Sequence, residues 1–212
     1  MRAMPLKFKQ FLEKIAREKA PGPAPTFSAL HLLHALELVA AKPIGRAKLS
    51  EELKVGEGAA RTIITRLKEA GLISTSRVGC SLTAKGRKLW DEYRKIIAKE
   101  IDIGKCELLS AEYNIAVLVK NRGHKVETGI EQRDAAVKIG AKGAITIVFK
   151  DSHLIVPSVS NDFLKDYPDA AKQIIRLMQP EENDVIIISG ADTPDVAKQG
   201  ITAAAWTLLD NC

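Results

Sequence analysis

The sequence has few of the residues that carry metal or nucleophilic chemistry. Only 3 cysteines and 4 histidines occur among its 212 residues, and no two cysteines have the CxxC spacing. Cysteines this far apart are typical of free thiols in a reducing compartment, so we expect no metal site. One alternative stays open for Cys80, which could act as a redox switch.

Long apolar runs are also absent. No stretch reaches the roughly 18 apolar residues that a membrane-spanning helix needs. Residues 1–9 lack the apolar run of a secretory signal. We therefore expect a cytoplasmic protein that has no membrane partner.

The common signatures of catalysis and nucleotide binding are missing too. No GxGxxG or Walker pattern occurs, and His124 and His153 stand in no recognisable catalytic frame. Glu131 and Asp134 are three residues apart on one predicted helix, whereas acid–base carboxylates usually face each other across a cleft. We expect no enzymatic activity, no cofactor and no bound metal.

Charged residues are abundant, but they are unevenly divided along the chain. Residues 1–100 contain 20 Lys and Arg against 10 Asp and Glu, while residues 101–212 contain 12 against 16. The formal net charge of +6 therefore combines a basic first half with an acidic second half. This division favours a polyanion-binding region joined to a region with a different task.

The most informative pattern covers residues 46–86. Leu49, Leu53 and Val55 give a short first helix its apolar side, and glycines at 56 and 58 end it. A second helix is predicted over residues 58–70, because apolar residues recur there at the spacing of an amphipathic helix. These apolar residues are Ala60, Ile63, Ile64 and Leu67.

The opposite side of this second helix is polar. Its side chains can neutralise phosphates and offer hydrogen-bonding groups to base edges in the major groove. The predicted DNA-binding residues of the helix are Arg61, Thr62, Thr65, Arg66 and Lys68. The alternative is a solvated helical hairpin whose charges only keep the protein soluble.

A hairpin and a third helix complete the pattern. Gly71 ends the second helix, and residues 74–83 are predicted to form two strands with Arg77 near the tip. Arg77 is a further predicted DNA-binding residue, since such a tip can contact a flanking minor groove or phosphate. The last helix begins at residues 83–86 and is predicted to bury Leu89, Trp90, Tyr93, Ile96 and Ile97.

Residues 27–98 resemble the winged helix-turn-helix domain of prokaryotic transcription regulators. The resemblance is carried by residues 49–53, 61–73 and 82–86. The whole chain is also similar to a family of archaeal winged-helix proteins whose C-terminal domain has no assigned function, through residues 132–137 and 139–144. The resemblance implies a winged-helix fold and a regulator role, but no particular ligand.

Two N-terminal segments favour a homodimer. An amphipathic helix with one apolar side is predicted before a proline-rich linker; that side comprises Phe8, Phe11, Leu12 and Ile15. A helix this short cannot fold alone, so it packs on its own domain or, as we prefer, clasps a second subunit. The helix predicted over residues 27–41 is apolar on most of its circumference and supports an interface. A two-fold dimer would double the contacts on a palindromic DNA site.

The second half of the chain is predicted to be an α/β domain that follows a linker or helix end at residues 101–105. Apolar runs predict strands at 113–119, 143–149 and 184–190, and residues 153–157 return from the second strand as a hairpin. Helices are predicted at 129–139, 169–178 and 193–209. The first is predicted to bury Ile130, Ala135, Ala136 and Val137. Strands that alternate with helices, together with the hairpin, favour a mixed sheet.

One candidate effector site lies at the start of the first of these helices. Glu131, Arg133 and Asp134 fall together there, and Arg133 could bind a carboxylate or phosphate of a ligand. The alternative is an ion pair on the helix surface.

A second candidate effector site follows the last strand. Ser189, Gly190 and Thr193 lie where a buried strand ends and a helix begins, and free amides at a helix start favour an anion. The alternative is an ordinary helix cap by Asp192 or Thr193.

These patterns predict an α+β and α/β fold in three regions. Residues 1–25 form a helix and linker, residues 26–100 a winged-helix domain, and residues 106–212 an effector or oligomerisation domain. The predicted function is a transcription regulator that binds double-stranded DNA as a homodimer, with a small-molecule effector as a further partner. The alternative is a protein-interaction scaffold without sequence-specific DNA binding.

Overall fold

The computed structural model describes residues 8–17 and 25–209. Residues 18–24 lie outside the described residues, and with them most of the proline-rich linker that was predicted over residues 21–25. The chain divides into two compact units, with the boundary between Arg94 and Lys95. The fold is a mixture of α-helices and β-strands, with a helical N-terminal unit and a C-terminal unit built on a sheet.

The N-terminal unit has the helices and the hairpin that were predicted over residues 46–86. Its elements are α1 (Phe8–Arg17), α2 (Ala29–Ala41), α3 (Arg46–Glu52), α4 (Glu57–Glu69), β1 (Ile73–Ser76), β2 (Gly79–Leu82) and α5 (Ala84–Ile96). Its core is made of leucine and isoleucine side chains, including the fully buried Leu32, Leu49, Ile63 and Leu67.

Gly86 allows α5 to pack closely on the chain that follows α4. A Cβ atom at this position would lie 2.0 Å from the carbonyl oxygen of Leu72, so only glycine fits. The hydroxyl of Thr83 donates to the carbonyl of Gly71 at 2.6 Å and accepts from the backbone N–H of Gly86 at 3.0 Å. The threonine and the glycine of the motif at residues 82–86 therefore join α5 to the end of α4.

The first helix packs inside its own unit. The apolar side of α1 contacts α2 and α4, and Phe8 and Leu12 are buried. The ring of Phe8 also stacks on Tyr93 of α5, with the centroids 5.1 Å apart. The sequence favoured a clasp on a second subunit, but the structure places this apolar side on its own domain.

The C-terminal unit begins with a strand that the sequence did not predict. Residues 97–102 form this strand, β3, where a helix end and a linker were expected, because residue 97 and residues 99–102 pair antiparallel with residues 115–119, with a register shift at Ala98. The further elements are β4 (Tyr113–Val119), α6 (Ile130–Lys138), β5 (Gly143–Lys150), β6 (His153–Ile155), α7 (Phe163–Asp166), α8 (Pro168–Met178), β7 (Val185–Ala191) and α9 (Pro194–Thr207).

The sheet of this unit is antiparallel, so the prediction of a mixed sheet was wrong. The strand order is β3-β4-β7-β5-β6, and all four neighbouring pairs run antiparallel. β4 and β5 run in the same direction, but β7 lies between them and separates them. All seven residues of β7 are apolar or small, which suits the central place in the sheet, and all seven are buried there.

Helices cover both faces of the sheet. On one face, α8 packs on Ala116, Ile147 and Ile188 through Ala171 and Ile174. On the other face, α9 packs on β4 and β7, while α6 packs on β5 and on α9. The central strands are therefore buried on both faces, which explains their continuous apolar sequence.

The structure rotates α6 away from its predicted orientation. Gln132 and Ala136 are buried, whereas Ile130 and Val137, which were predicted to be buried, are exposed. The amide of Gln132 donates to the hydroxyl of Thr207 in α9 at 2.7 Å, so its polar group has a partner inside the protein. Ala136 is fully buried where α6 packs on α9 and on β5, and this packing turns Gln132 and Ala136 toward the core.

Candidate nucleic-acid interface

The side of α4 that points to solvent is polar throughout. Ala60, Ile63 and Leu67 are fully buried and hold the helix on the core. The side chains at the opposite side are exposed; this outer face of α4 comprises Arg61, Thr62, Thr65, Lys68 and Glu69. The Thr62 hydroxyl donates to the carbonyl of Gly58 at 3.0 Å. Two cations and two hydroxyls, with one carboxylate beside them, thus lie along one side of the helix, where they can meet phosphates and base edges.

Arg66 lies differently from the other predicted DNA-binding residues of α4. Its Nη1 donates to the carbonyl oxygens of Ile15 at 3.1 Å and Ala16 at 2.5 Å. Its guanidinium also lies 5.1 Å from the ring centroid of Phe27. Arg66 is therefore only partly exposed, and it satisfies carbonyls at the C-terminal end of α1 that the helix itself leaves without a donor.

The turn between α3 and α4 is held by a residue that the sequence interpretation overlooked. The hydroxyl of Ser50 donates to the carbonyl of Val55 at 2.7 Å, and the Ser50 side chain is nearly buried. Lys54 has a positive φ of 53° within this turn. Ser50 therefore fixes the direction in which the chain enters α4, although a serine among polar residues gives no sequence signal for this role.

The β1–β2 hairpin presents Arg77 as predicted. Arg77 and Val78 form its tip, and both are exposed. At the base of the hairpin, Ile44 pairs antiparallel with Cys80, with N···O distances of 3.2 and 2.8 Å. This bridge adds a short third segment to the hairpin and fixes it to the chain before α3.

Cys80 is buried in this pairing, with 3% of its surface exposed. Burial raises the pKa of its thiol above the ordinary value. Since the thiolate is the reactive form of cysteine, burial and a raised pKa both oppose redox chemistry at this position.

The first predicted effector site is an exposed helix surface. Glu131, Arg133 and Asp134 lie on α6 and are all exposed. The guanidinium of Arg133 pairs with the carboxylate of Asp134 at 3.0 Å. This is the ion pair that the sequence analysis gave as the alternative.

The second predicted effector site is divided between the sheet and a helix cap. Ser189 and Gly190 are buried within β7, where Ser189 faces Gly200 of α9. The side chain of Thr193 accepts the backbone N–H of Val196 at 3.3 Å and so caps α9. Ligand binding by these residues stays a prediction, and the structure does not bring them together around one cavity.

A buried ion pair in the C-terminal unit was also overlooked. Asp184 is 1% exposed, and its carboxylate accepts from Lys120 at 2.7 Å and from the backbone N–H groups of Asn121 and Glu181. Burial lowers the pKa of Lys120, but its hydrogen bonds to Asp184 and Glu181 outweigh this and raise the pKa above the ordinary value. The pair joins the end of β4 to the loop before β7, and its partners are too far apart in sequence to be read as a pair.

No helix in the part of the chain that the structure describes has the length and apolar character needed to cross a bilayer. No three His, Cys, Asp or Glu side chains of residues 8–17 and 25–209 come together as a metal site.

Comparisons with other proteins identify relatives of both units. Residues 32–88 match the model of the PH0730-like N-terminal domain, and residues 110–208 match a domain of unknown function (DUF4443). Among solved structures, the hypothetical protein PH0730 from Pyrococcus horikoshii OT3 is 30% identical, with a TM-score of 0.66. The match covers 86% of this chain and 92% of that chain. Among curated proteins, no match was found.

Proposed function

The chain belongs to the family of the archaeal two-domain protein PH0730, and from this premise we propose that it is a transcription regulator that binds double-stranded DNA. In this proposal the N-terminal unit is a winged helix-turn-helix domain and α4 is its recognition helix. The protein acts as a homodimer, and the C-terminal unit joins the two copies.

The order of elements supports a winged helix. Two short helices, α3 and α4, are followed by the β1–β2 hairpin and by α5. The pairing of Ile44 with Cys80 supplies the third strand segment that such a domain has at the base of its wing. In a helix-turn-helix, the second helix enters the major groove.

The outer face of α4 is the observation that carries the proposal. A helix needs cations there to neutralise phosphates, and a protein-interaction scaffold does not. Arg61 and Lys68 are exposed and seven residues apart, so they lie on one side about two turns from each other. Arg77 at the wing tip adds a third exposed cation.

The C-terminal unit supports oligomerisation better than effector binding. The residues predicted for an effector are divided among an exposed helix, a buried strand and a helix cap. α6, in contrast, exposes large apolar side chains. A small-molecule effector remains a prediction.

Replacement of Arg61 and Lys68 by alanine in one variant tests the proposal. We expect the variant to keep its fold and to bind fragments of its own upstream region about 10- to 100-fold more weakly. The slope of log affinity against log salt should fall by about 2, because two phosphate contacts are lost. Fluorescence anisotropy over a range of salt concentrations measures both quantities.

The matched control is the double alanine variant of Lys172 and Arg176. Both residues are exposed on α8, and the variant loses the same net charge. It should bind DNA like the wild type. If both variants lose affinity equally, or if neither does, α4 has no special role and the scaffold function takes its place.

A further inference from the structure

The exposed side of α6 has an unusual composition. Ile130 is 48% exposed and Val137 is 46% exposed, although α6 buries the polar Gln132. Ile130 and Val137 are seven residues apart, so they lie two turns from each other on the same side of the helix. Scattered apolar residues are common on surfaces, but two on one helix line that faces away from the core form a stripe.

A pair of opposite charges lies at the centre of this stripe. Arg133 and Asp134 are both about half exposed. Successive residues are about 100° apart around a helix, so these two side chains flank the line from Ile130 to Val137, about 50° to either side. We call Ile130, Arg133, Asp134 and Val137 the α6 stripe.

We propose that the α6 stripe is the surface on which two copies of this chain associate, with the two α6 helices side by side and parallel. The proposal rests on the homodimer of the proposed function and names its interface. In this arrangement Ile130 contacts the partner's Ile130, and Val137 contacts the partner's Val137.

Charge complementarity favours a second copy of this chain as the partner, and it favours a parallel arrangement of the two α6 helices. A two-fold axis along the helices brings the Arg133 flank of one helix against the Asp134 flank of the other. Arg133 then pairs with the partner's Asp134, and the same pairing repeats on the other side of the axis. An antiparallel arrangement would instead bring like flanks together, with Asp134 close to the partner's Asp134.

The size of the stripe predicts how strong this contact is. One exposed helix side covers much less than the roughly 1,200–2,000 Å² buried in a stable specific interface. We therefore expect the free chain to associate weakly, in a concentration-dependent way. Two copies held side by side on DNA would associate more readily, because the DNA raises their effective concentration.

Charge reversal tests the proposal without DNA. In Arg133→Asp, and separately in Asp134→Arg, every intermolecular pair becomes a like-charge pair. Sedimentation velocity of the full chain should show concentration-dependent dimers for the wild type and at least tenfold weaker association for each variant. Circular dichroism of both variants should match that of the wild type, since each loses only an exposed ion pair within α6.

A mixture of the two variants is the decisive sample. One chain then carries two acidic residues and the other two basic residues at positions 133 and 134, so every pair across the interface is attractive again. Dimers should reappear in the mixture at concentrations where each variant alone is monomeric. A defect inside one chain cannot be repaired by another chain, so this result would exclude misfolding as the cause.

A cysteine variant reports the direction of the helices. Ile130→Cys should form a disulfide-linked dimer under mild oxidation beyond any background of the wild type, because only a parallel arrangement brings position 130 against itself. The proposal is overturned if the wild type stays monomeric at all concentrations, if charge reversal leaves association unchanged, or if the mixture does not recover dimers. The DNA affinity of the Arg61 and Lys68 variant is a separate readout, so failure of this interface would not be mistaken for failure of the DNA-binding proposal.

Discussion

Two helices of this protein, α4 and α6, present opposite kinds of surface to solvent. α4 buries Ile63 and Leu67 and exposes cations and hydroxyls, as the sequence pattern predicted. α6 buries Gln132 and exposes Ile130 and Val137, against the prediction. An exposed cationic side suits a hydrated polyanion, whereas a line of exposed apolar side chains gains free energy when another protein surface removes it from water.

The difference shows that the residues which make the core contact of a helix decide which residues are left on its exposed side. In α4 the apolar residues pack into the core, so the outer face presents polar side chains to a partner. In α6 the core contact is made by a hydrogen-bonded glutamine and a small alanine. The larger apolar residues are then left outside, where they are available to a second copy of the chain.

The largest expected effect is a loss of stability in the N-terminal unit, which carries α4, while the α6 surface of the C-terminal unit is unchanged. In Gly86→Ala the new methyl group would clash with the carbonyl of Leu72. We expect the N-terminal unit to lose about 3 kcal/mol of stability, at the upper end for an overpacked site. Thermal unfolding followed by circular dichroism should show a separate, earlier transition, with weaker DNA binding and unchanged association through α6.

Gly58→Ala is the matched control for this substitution. Gly58 lies in the first turn of α4, and a Cβ atom there would meet nothing within 4 Å. The control should keep its stability or gain up to about 1 kcal/mol. Equal losses in both variants would contradict the close approach at Gly86.

A smaller effect distinguishes two arginines of α4. Arg66→Ala removes two hydrogen bonds to carbonyls of α1 and the contact with Phe27. We expect a loss of about 2 kcal/mol in urea unfolding, in the range of hydrogen bonds made by charged groups. Arg61→Ala should change stability by less than about 0.5 kcal/mol, because Arg61 is exposed. Equal destabilisation by the two substitutions would show that Arg66 does not hold α1.

The smallest effect concerns pH and the start of α2. Burial, and secondarily the neighbouring His34, lower the pKa of His31 below 6.5. The Nδ1 atom of His31 accepts the backbone N–H of Ser28 at 3.1 Å, which requires the neutral ring. The contribution of this hydrogen bond to folding stability is present above pH 6.5, and it is lost as the pH falls through the lowered pKa of His31.

The N-terminal unit should therefore lose about 1 kcal/mol, the usual size of a helix cap, between about pH 7.5 and about pH 5. Urea unfolding at several pH values measures this loss. His31→Gln keeps an acceptor that does not titrate, so its decline with pH should be smaller. An identical decline in the variant would assign the pH dependence to other groups.

The regular elements could be predicted because they follow local patterns. The helix spacing of Ile63 and Leu67 and the apolar runs of β4, β5 and β7 each mark one element without reference to the rest of the chain. The order of strands in the sheet could not be predicted, because it depends on which strand is covered on both faces. The same limit applied to α6, where packing against α9 decided which side is buried.

The candidate site could be predicted in part, for the same reason. Four residues of α4 and Arg77 are exposed where the sequence placed them. The partial burial of Arg66 was not predicted, because its partners, the carbonyls of Ile15 and Ala16, lie about 50 residues away in the chain. Contacts between distant backbone groups and one side chain leave no periodic signal in a sequence.

The most direct measurement for the central claim is DNA binding by the Arg61 and Lys68 double alanine variant over a range of salt concentrations. The account predicts a loss of about 10- to 100-fold, a shallower salt dependence and an unchanged fold, while the α8 control variant binds like the wild type. Unchanged affinity in the α4 variant, or an equal loss in the control, would contradict the assignment of α4 as the helix that binds DNA.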